Sequence, residues 1–240
     1  MESRREEGHS EPALAADVIA PVIAKLEAIA AQLDESDGVR RFNELYLAVT
    51  RAVAEQTARD TFEDASFISR LDVVFADLYF AAVADDAAGR EPSKAWAPLF
   101  AERHKDGVAP LQFAIAGMNA HINHDLALAL VATCGELGIG LGSDTVQHRD
   151  YIAVNGILEQ VQDAIKERFA TGVVATVDEA FGTADDLLAS WSVARARDGA
   201  WTAGQLLAAV VDDDFLRKAL LADLARRAGF ASRLLLARSS

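Results

Sequence analysis

Apart from Gln112 near its start, the segment LQFAIAGMNAHINHDLALAL, residues 111–130, is apolar on every helical face except at positions 119, 121, 123, 124 and 125. A helix that is apolar all round has no face to present to water, so it is buried among other elements. Pro110 suits the first turn of this helix, and Gly138 marks its end after Leu137. We therefore predict a buried helix over residues 110–137 at the centre of the fold.

The remainder of the chain repeats the helical pattern. Apolar residues, mostly Ala and Leu, recur with a period near 3.6, and few segments show the alternation typical of a strand. The sequence predicts an all-α fold, a helical bundle of about eight to nine helices around the central buried helix. Besides 110–137, the predicted helices are 11–33, 39–58, 67–84, a short one near 96–100, one from 143 or 144 to about 169, 173–181, 185–197, 201–211 and 212–229.

The length of 240 residues, half of them apolar, favours one domain with a sizeable core. Residues 1–10 are strongly charged and are expected to form a disordered tail. Residues 11–240 are predicted to form a single helical domain. Within it, residues 11–170 make the core bundle and residues 173–240 make a C-terminal helical subregion.

The charge balance argues against several classes of partner. A formal net charge of −14 repels phosphate backbones and anionic lipid surfaces, so we expect neither a nucleic-acid nor a membrane partner. The single cysteine, Cys134, excludes a disulfide framework or a cysteine metal cluster and suits a reducing compartment. No segment has the uninterrupted apolar core of a signal peptide or the length of a membrane span. We expect a cytoplasmic protein with a small-molecule ligand.

His121 and Asp125 carry the most reactive chemistry of the segment 111–130. They are four residues apart and so share one face of the helix, within an apolar stripe. A buried carboxylate needs a partner, because without one it would sooner take up a proton. The pair can supply two metal ligands or a general base with its orienting acid. A purely structural pair that fixes the packing of neighbouring helices is the alternative.

Five further residues join the predicted site. Asp72 lies on the apolar side of its helix and is a third catalytic candidate, beside His121 and Asp125. Four residues are predicted to bind substrate: Asn119, Asn123, Tyr79 and Asn155. Asn119 and Asn123 are four apart but point away from His121 by about 200° of helix rotation.

Other polar residues are weaker candidates. His124 lies on a face of small residues that can point inward, whereas His104 is flanked by charged residues and is expected at the surface. His148 and Asp150 fall in the first turn of their helix, where capping is the favoured role.

Cofactor motifs are absent from the sequence. There is no Gly-rich phosphate loop, no Gly-x-Ser-x-Gly and no His-Glu-x-x-His, so no nucleotide cofactor is expected. A divalent metal held by His121 and Asp125 remains open. One histidine with carboxylate or amide oxygens would suit Mg²⁺, Mn²⁺ or Fe²⁺.

Three segments of the chain resemble a known family. They are GMNAHINHDLALAL at 117–130, SRLDVVFADLYFAAV at 69–83 and DYIAVNGILEQV at 150–161. Together they resemble the domain-of-unknown-function family 5995 over roughly residues 25–230. The resemblance implies a helical protein of unassigned activity whose core motif spans residues 117–126. In that motif the position of His124 is more often aromatic, which argues against His124 as a ligand.

Three hypotheses of function follow from these residues. The first is an enzyme that acts on a small molecule through a buried His/Asp/Asn site, with or without a metal. The second is a non-catalytic protein that binds a hydrophobic small molecule in a helical cavity. The third is a structural polar network with no site. The sequence leaves the substrate and the oligomeric state open.

Overall fold

A computed structural model describes residues 11–172 and 192–237 of the chain. The described residues contain helices and no strand, which confirms the predicted all-α class. The predicted tail 1–10, the predicted helix 173–181 and most of the predicted helix 185–197 lie outside these ranges. No helix within them is both long and apolar enough to cross a lipid bilayer.

The helices follow one another through short connections. Their bounds are α1 Glu11–Gln32, α2 Gly38–Ala58, α3 Ala65–Ala87, α4 Ala97–Glu102, α5 Pro110–Ala120, α6 Leu126–Leu137, α7 Val146–Gly172, α8 Val193–Ala209 and α9 Asp214–Leu235. A π-helical turn, His121–Asp125, joins α5 directly to α6. Counted with α5 and α6 as one continuous helix, the described residues form eight helices.

The continuous helix over residues 110–137 has the predicted bounds. Pro110 is its first residue, and Gly138 ends it in the left-handed conformation with φ of 65°. Every residue from Gln112 to Ala120 is buried. The helix packs against α2, α3, α4, α8 and α9, which together supply most of the surroundings of its polar residues.

Carboxylates begin several helices. Asp37 accepts a hydrogen bond from the Val39 amide at the start of α2, and Asp64 accepts one from the Phe67 amide at the start of α3. Asp150 does not cap its own helix. Instead its two oxygens accept hydrogen bonds from the backbone amides of Glu63 and Asp64, which ties α7 to the turn before α3.

Two predicted helix boundaries in the C-terminal region are wrong. The predicted break between Arg197 and Trp201 does not exist, because α8 begins at Val193, after the extended cap residue Ser192, and runs through it. The last helix continues past Gly229 to Leu235. Gly229 lies inside α9 because the helix passes so close to the Lys94 carbonyl that a Cβ atom would overlap it.

Candidate functional site

The π-helical turn presents the polar side chains of the segment 111–130. Its backbone is wider than an α-helix, and the Leu126 amide donates to the carbonyl of His121, five residues earlier. Single π-helical turns inside α-helices occur often at functional sites. His121, His124 and Asp125 are all buried at this turn.

Asp125 accepts three hydrogen bonds from nitrogen donors. Oδ2 lies 2.8 Å from Trp96 Nε1 and 3.0 Å from His121 Nδ1, and Oδ1 lies 2.7 Å from His124 Nδ1. Burial alone would raise the pKa of Asp125, but the hydrogen bonds from His121 and His124 outweigh burial and lower it. Asp125 is therefore an ionised carboxylate inside the protein, and each oxygen has a partner.

His121 is held as a neutral base by this carboxylate. Burial lowers the pKa of His121 by more than the hydrogen bond and charge of Asp125 raise it, so the ring is neutral near pH 7. An ionised carboxylate only accepts hydrogen bonds, so Nδ1 carries the proton and donates it to Asp125. Nε2 then holds a free lone pair. This atom is buried and has no hydrogen-bond partner.

Aromatic rings fix the orientation of the His121 imidazole. The Phe75 ring stacks on it with a centroid separation of 3.5 Å and an interplanar angle of 8°. Tyr46 meets it edge to face at 4.6 Å. Phe42 and Trp96 complete the enclosure at 5.6 and 5.8 Å. The ring has little freedom to turn away from Asp125, so Nε2 keeps one direction.

His121 lines a cavity of about 80 Å³ beside the π-helical turn. A single water needs about 10–15 Å³ on the same measure, so the cavity has room for a small molecule. Its lining comes from five walls, namely α2, α3, the helix 110–137, α7 and α8. The lining residues are Phe42, Leu45, Tyr46, Val49, Val53, Ile68, Leu71, Asp72, Phe75, Met118, His121, Ile122, Leu126, Val154, Leu158 and Arg197.

Only four of the sixteen lining residues are polar or charged: Tyr46, Asp72, His121 and Arg197. Three of them keep a buried polar atom without a hydrogen-bond partner, namely Tyr46 Oη, Asp72 Oδ2 and His121 Nε2. Unpaired buried polar atoms are rare in folded proteins because each one costs free energy. Three of the six such atoms found among the described residues belong to side chains that line this one cavity.

The surroundings of Asp72 and Tyr46 favour the protonated form of each side chain. Burial raises the pKa of Asp72 to about 7, so this carboxyl group exchanges its proton near neutral pH. Burial, followed by the charges of Asp72 and Asp125, raises the pKa of Tyr46 well above its ordinary value. The cavity thus combines a neutral base, a carboxyl group that titrates near pH 7 and a phenol that stays a donor.

The structure separates the four predicted substrate-binding residues from the cavity lining. Asn119 donates to the Ala228 carbonyl and to Ser232 Oγ on α9, and Asn123 donates to the side chain of Asn119. Asn119 therefore joins the helix 110–137 to α9, and Asn123 supports Asn119 from the same helix, as a structural network would. Tyr79 and Asn155 also bind protein groups. The Tyr79 hydroxyl donates to Asn43 Oδ1, and Asn155 Oδ1 accepts from Arg197 Nε.

The predicted metal pair is joined by its own hydrogen bond. His121 Nδ1 and Asp125 Oδ2 face each other at 3.0 Å, while Oδ2 also accepts from Trp96 and Oδ1 accepts from His124. Within residues 11–172 and 192–237, no group of three or more His, Cys, Asp or Glu side chains is arranged to hold a metal ion.

Sequence reasoning missed Trp96, Tyr46 and Arg197 as parts of the site. Trp96 and Tyr46 belong to apolar stripes, and a stripe does not show which aromatic polar atom faces a buried acid. The inward position of Arg197 could have been predicted from the sequence. Arg197 continues the buried stripe Val193, Ala200, Trp201 and Gly204 of α8, and the wrongly predicted break after Arg197 divided that stripe.

The fold and the site thus define an all-α protein with a buried His–Asp pair beside an apolar cavity. The chain belongs to the Family of unknown function (DUF5995), whose model matches residues 19–238. This match confirms the resemblance noted in the sequence. No curated protein and no solved structure matches the chain.

Proposed function

We propose that the cavity is the active site of an enzyme that transfers a proton on a small, largely apolar molecule. The observation that carries the proposal is the set of three unpaired polar atoms, Tyr46 Oη, Asp72 Oδ2 and His121 Nε2, around one apolar cavity. A base, an acid and a donor without protein partners are what general acid–base catalysis requires of a site.

His121 acts as the general base. Its Nε2 lone pair takes a proton from the substrate, and the imidazolium that forms is stabilised by the Asp125 carboxylate at 3.0 Å. Trp96 and His124 hold Asp125 in place and keep it ionised. Asp125 is thus a positioning residue for His121, and the stacked Phe75 ring holds the imidazole in one orientation.

Asp72 acts as the partner acid. In its protonated form it donates a proton to a substrate oxygen as charge develops there, and it returns to the acid form when it recovers that proton. Tyr46 adds a hydrogen bond to the same developing charge. An enolisation, an isomerisation or an elimination fits this pair of groups, since each removes one proton and supplies another.

The role of a metal ion is a separate proposal. If a divalent ion takes part, the ligand atoms that remain for it are His121 Nε2 and Asp72 Oδ2, because the His121–Asp125 contact is already a hydrogen bond. Metal analysis of the purified protein, with and without a chelator during the activity assay, distinguishes the two mechanisms.

The test uses exchange of α protons with deuterium in small ketones, butanone and cyclopentanone, followed by proton NMR in D₂O. We expect the wild-type protein to accelerate exchange and His121→Gln to lose about 100-fold or more of that acceleration, the typical size of a general-base contribution. His104→Gln is the matched control, because His104 is exposed on the surface. No acceleration by the wild type, or equal rates for His121→Gln and His104→Gln, would refute the proposal.

Binding without turnover is the second candidate function. Twelve of the sixteen lining residues are apolar, which suits a protein that only holds a hydrophobic molecule. It predicts that a ligand raises the melting temperature of wild type and His121→Gln alike, while neither protein accelerates proton exchange.

A further inference from the structure

Arg197 is a buried cation on the α8 wall of the cavity. Only 6% of its surface is exposed. Its Nε donates to Asn155 Oδ1 at 2.7 Å, its Nη2 donates to the Tyr151 carbonyl at 2.7 Å, and the guanidinium lies 4.1 Å from the Tyr151 ring centroid. These contacts all come from α7. The other N–H groups of the guanidinium remain available to another partner.

The partners of Arg197 in the described residues are neutral. No carboxylate in residues 14–161 or 192–237 lies within ion-pair distance of its guanidinium. A buried charge is costly unless an opposite charge pairs with it. The cavity therefore offers an anion a strong partner.

The form of that anion follows from the remaining lining. A guanidinium fork matches the two oxygens of a carboxylate. Among the described residues the lining presents a single cation, and a doubly charged group such as a phosphate would leave charge uncompensated among apolar side chains. The rest of the lining is mostly apolar, which suits a hydrocarbon for the remainder of the ligand.

We propose that the ligand of this cavity is a small apolar monocarboxylate whose carboxylate pairs with Arg197 and whose hydrocarbon part extends toward His121. This inference rests on the proposed function, because it names the substrate class of the same site. Arg197 lies on α8 and His121 on the helix 110–137, so the two side chains line the cavity from different walls. The anchor and the reacting carbon are thus different parts of one molecule.

The test compares hexanoate with hexanamide, a neutral probe of the same shape, by isothermal titration calorimetry. We expect hexanoate to bind the wild type at least about 10-fold more tightly than hexanamide. Arg197→Gln should lose at least about 10-fold in affinity for hexanoate while its affinity for hexanamide stays within about 2-fold of wild type. Arg195→Gln is the matched control, because Arg195 lies two residues earlier on α8 and is exposed.

The comparison of the two probes on the wild type needs no variant, so it decides the matter even if Arg197→Gln fails to fold. Arg197→Lys gives a second reading. It keeps the charge but loses the fork, so hexanoate should bind it more weakly than wild type and still more tightly than hexanamide. Equal affinities for the two probes, binding of neither, or unchanged hexanoate affinity in a folded Arg197→Gln would overturn the inference.

The two proposals fail in different ways. Arg197-dependent binding of hexanoate without any proton exchange would end the enzyme proposal and keep the ligand class. The second outcome is proton exchange that depends on His121 but is no faster with 4-oxopentanoate, a ketone with a carboxylate, than with butanone. This outcome would keep the enzyme proposal and end the proposed ligand class.

Discussion

Two acids of the candidate site show how neighbours decide the state of a side chain. Asp125 is buried and Asp72 is partly buried, with its Oδ2 out of contact with water, and burial disfavours the charge of each. Asp125 receives three N–H donors, and its pKa falls. Asp72 receives none on Oδ2, and its pKa rises to about 7. Asp125 therefore holds the base His121 in place, and Asp72 is free to exchange a proton.

Asp72→Asn should stabilise the protein, and by more at higher pH. The folded protein holds the Asp72 proton up to about pH 7, whereas the unfolded chain releases it near pH 3.8. The free energy of unfolding therefore falls as pH rises between these values and levels off above them. Asn carries no such penalty. We expect its stabilisation in urea unfolding at pH 8 to exceed that at pH 5 by roughly 2 kcal/mol.

Asp77→Asn is the control for this prediction, because Asp77 lies on the same helix and is exposed. Its effect should stay within about 0.5 kcal/mol of wild type at both pH values. A stabilisation by Asp72→Asn that is equal at pH 5 and pH 8 would show that Asp72 is not held protonated.

At the level of single residues, the sequence predicted the burial of His121 and Asp125 and their contact. Burial followed from the apolar stripe around them, and contact followed from their spacing of four. The partners Trp96 and His124 could not be assigned from the pattern. Trp96 is 29 residues away along the chain, and only the packing of α4 brings its Nε1 to Asp125.

Among the elements, the helix 110–137 was predicted with its correct ends, since Pro110 and Gly138 signal them directly. The π-helical turn within it was not predicted. Periodicity over a short apolar segment does not distinguish 3.6 residues per turn from a single wider turn. The continuity of α8 was not predicted for another reason. A pattern of apolar positions assigns an Arg to the surface, although this Arg is buried.

Gly117→Ala should destabilise the protein through the contact between α2 and α5. A Cβ atom at position 117 would overlap the Phe42 side chain, which also packs against His121. Overpacking of this kind costs about 1–3 kcal/mol, partly offset by the better helix propensity of Ala. Urea unfolding measures the loss. Because Phe42 lines the cavity, probe binding should weaken as well.

Gly135→Ala is the matched substitution on the same continuous helix. No atom lies within 4 Å of the added Cβ, and Gly135 is exposed, so the change should stabilise the protein by up to about 1 kcal/mol. Equal effects of the two substitutions would contradict the close approach of α2 and α5.

On the scale of the whole molecule, the cavity is the feature that the sequence could not show. Its walls come from five separate helices, and residues as distant as Phe42 and Arg197 line it. Helical periodicity predicts which face of each helix is buried, but it does not predict where buried faces fail to fill space. The buried faces of the helices were therefore predicted correctly. The cavity between them is visible only in the assembled fold.

Hydrogen exchange tests the prediction that the helix 110–137 is the innermost element of the fold. Residues Gln112–Ala120 are all buried, whereas in α9 only Ala228, Gly229, Ser232 and Leu235 are. Amides in the buried helix should exchange only when the whole protein unfolds, and those in the first turns of α9 should exchange through local opening. We expect mass spectrometry to find peptides over 112–130 among the last to exchange and peptides over 214–222 among the first. Exchange over 112–130 as early as over 214–222 would show that this helix is not the stable centre.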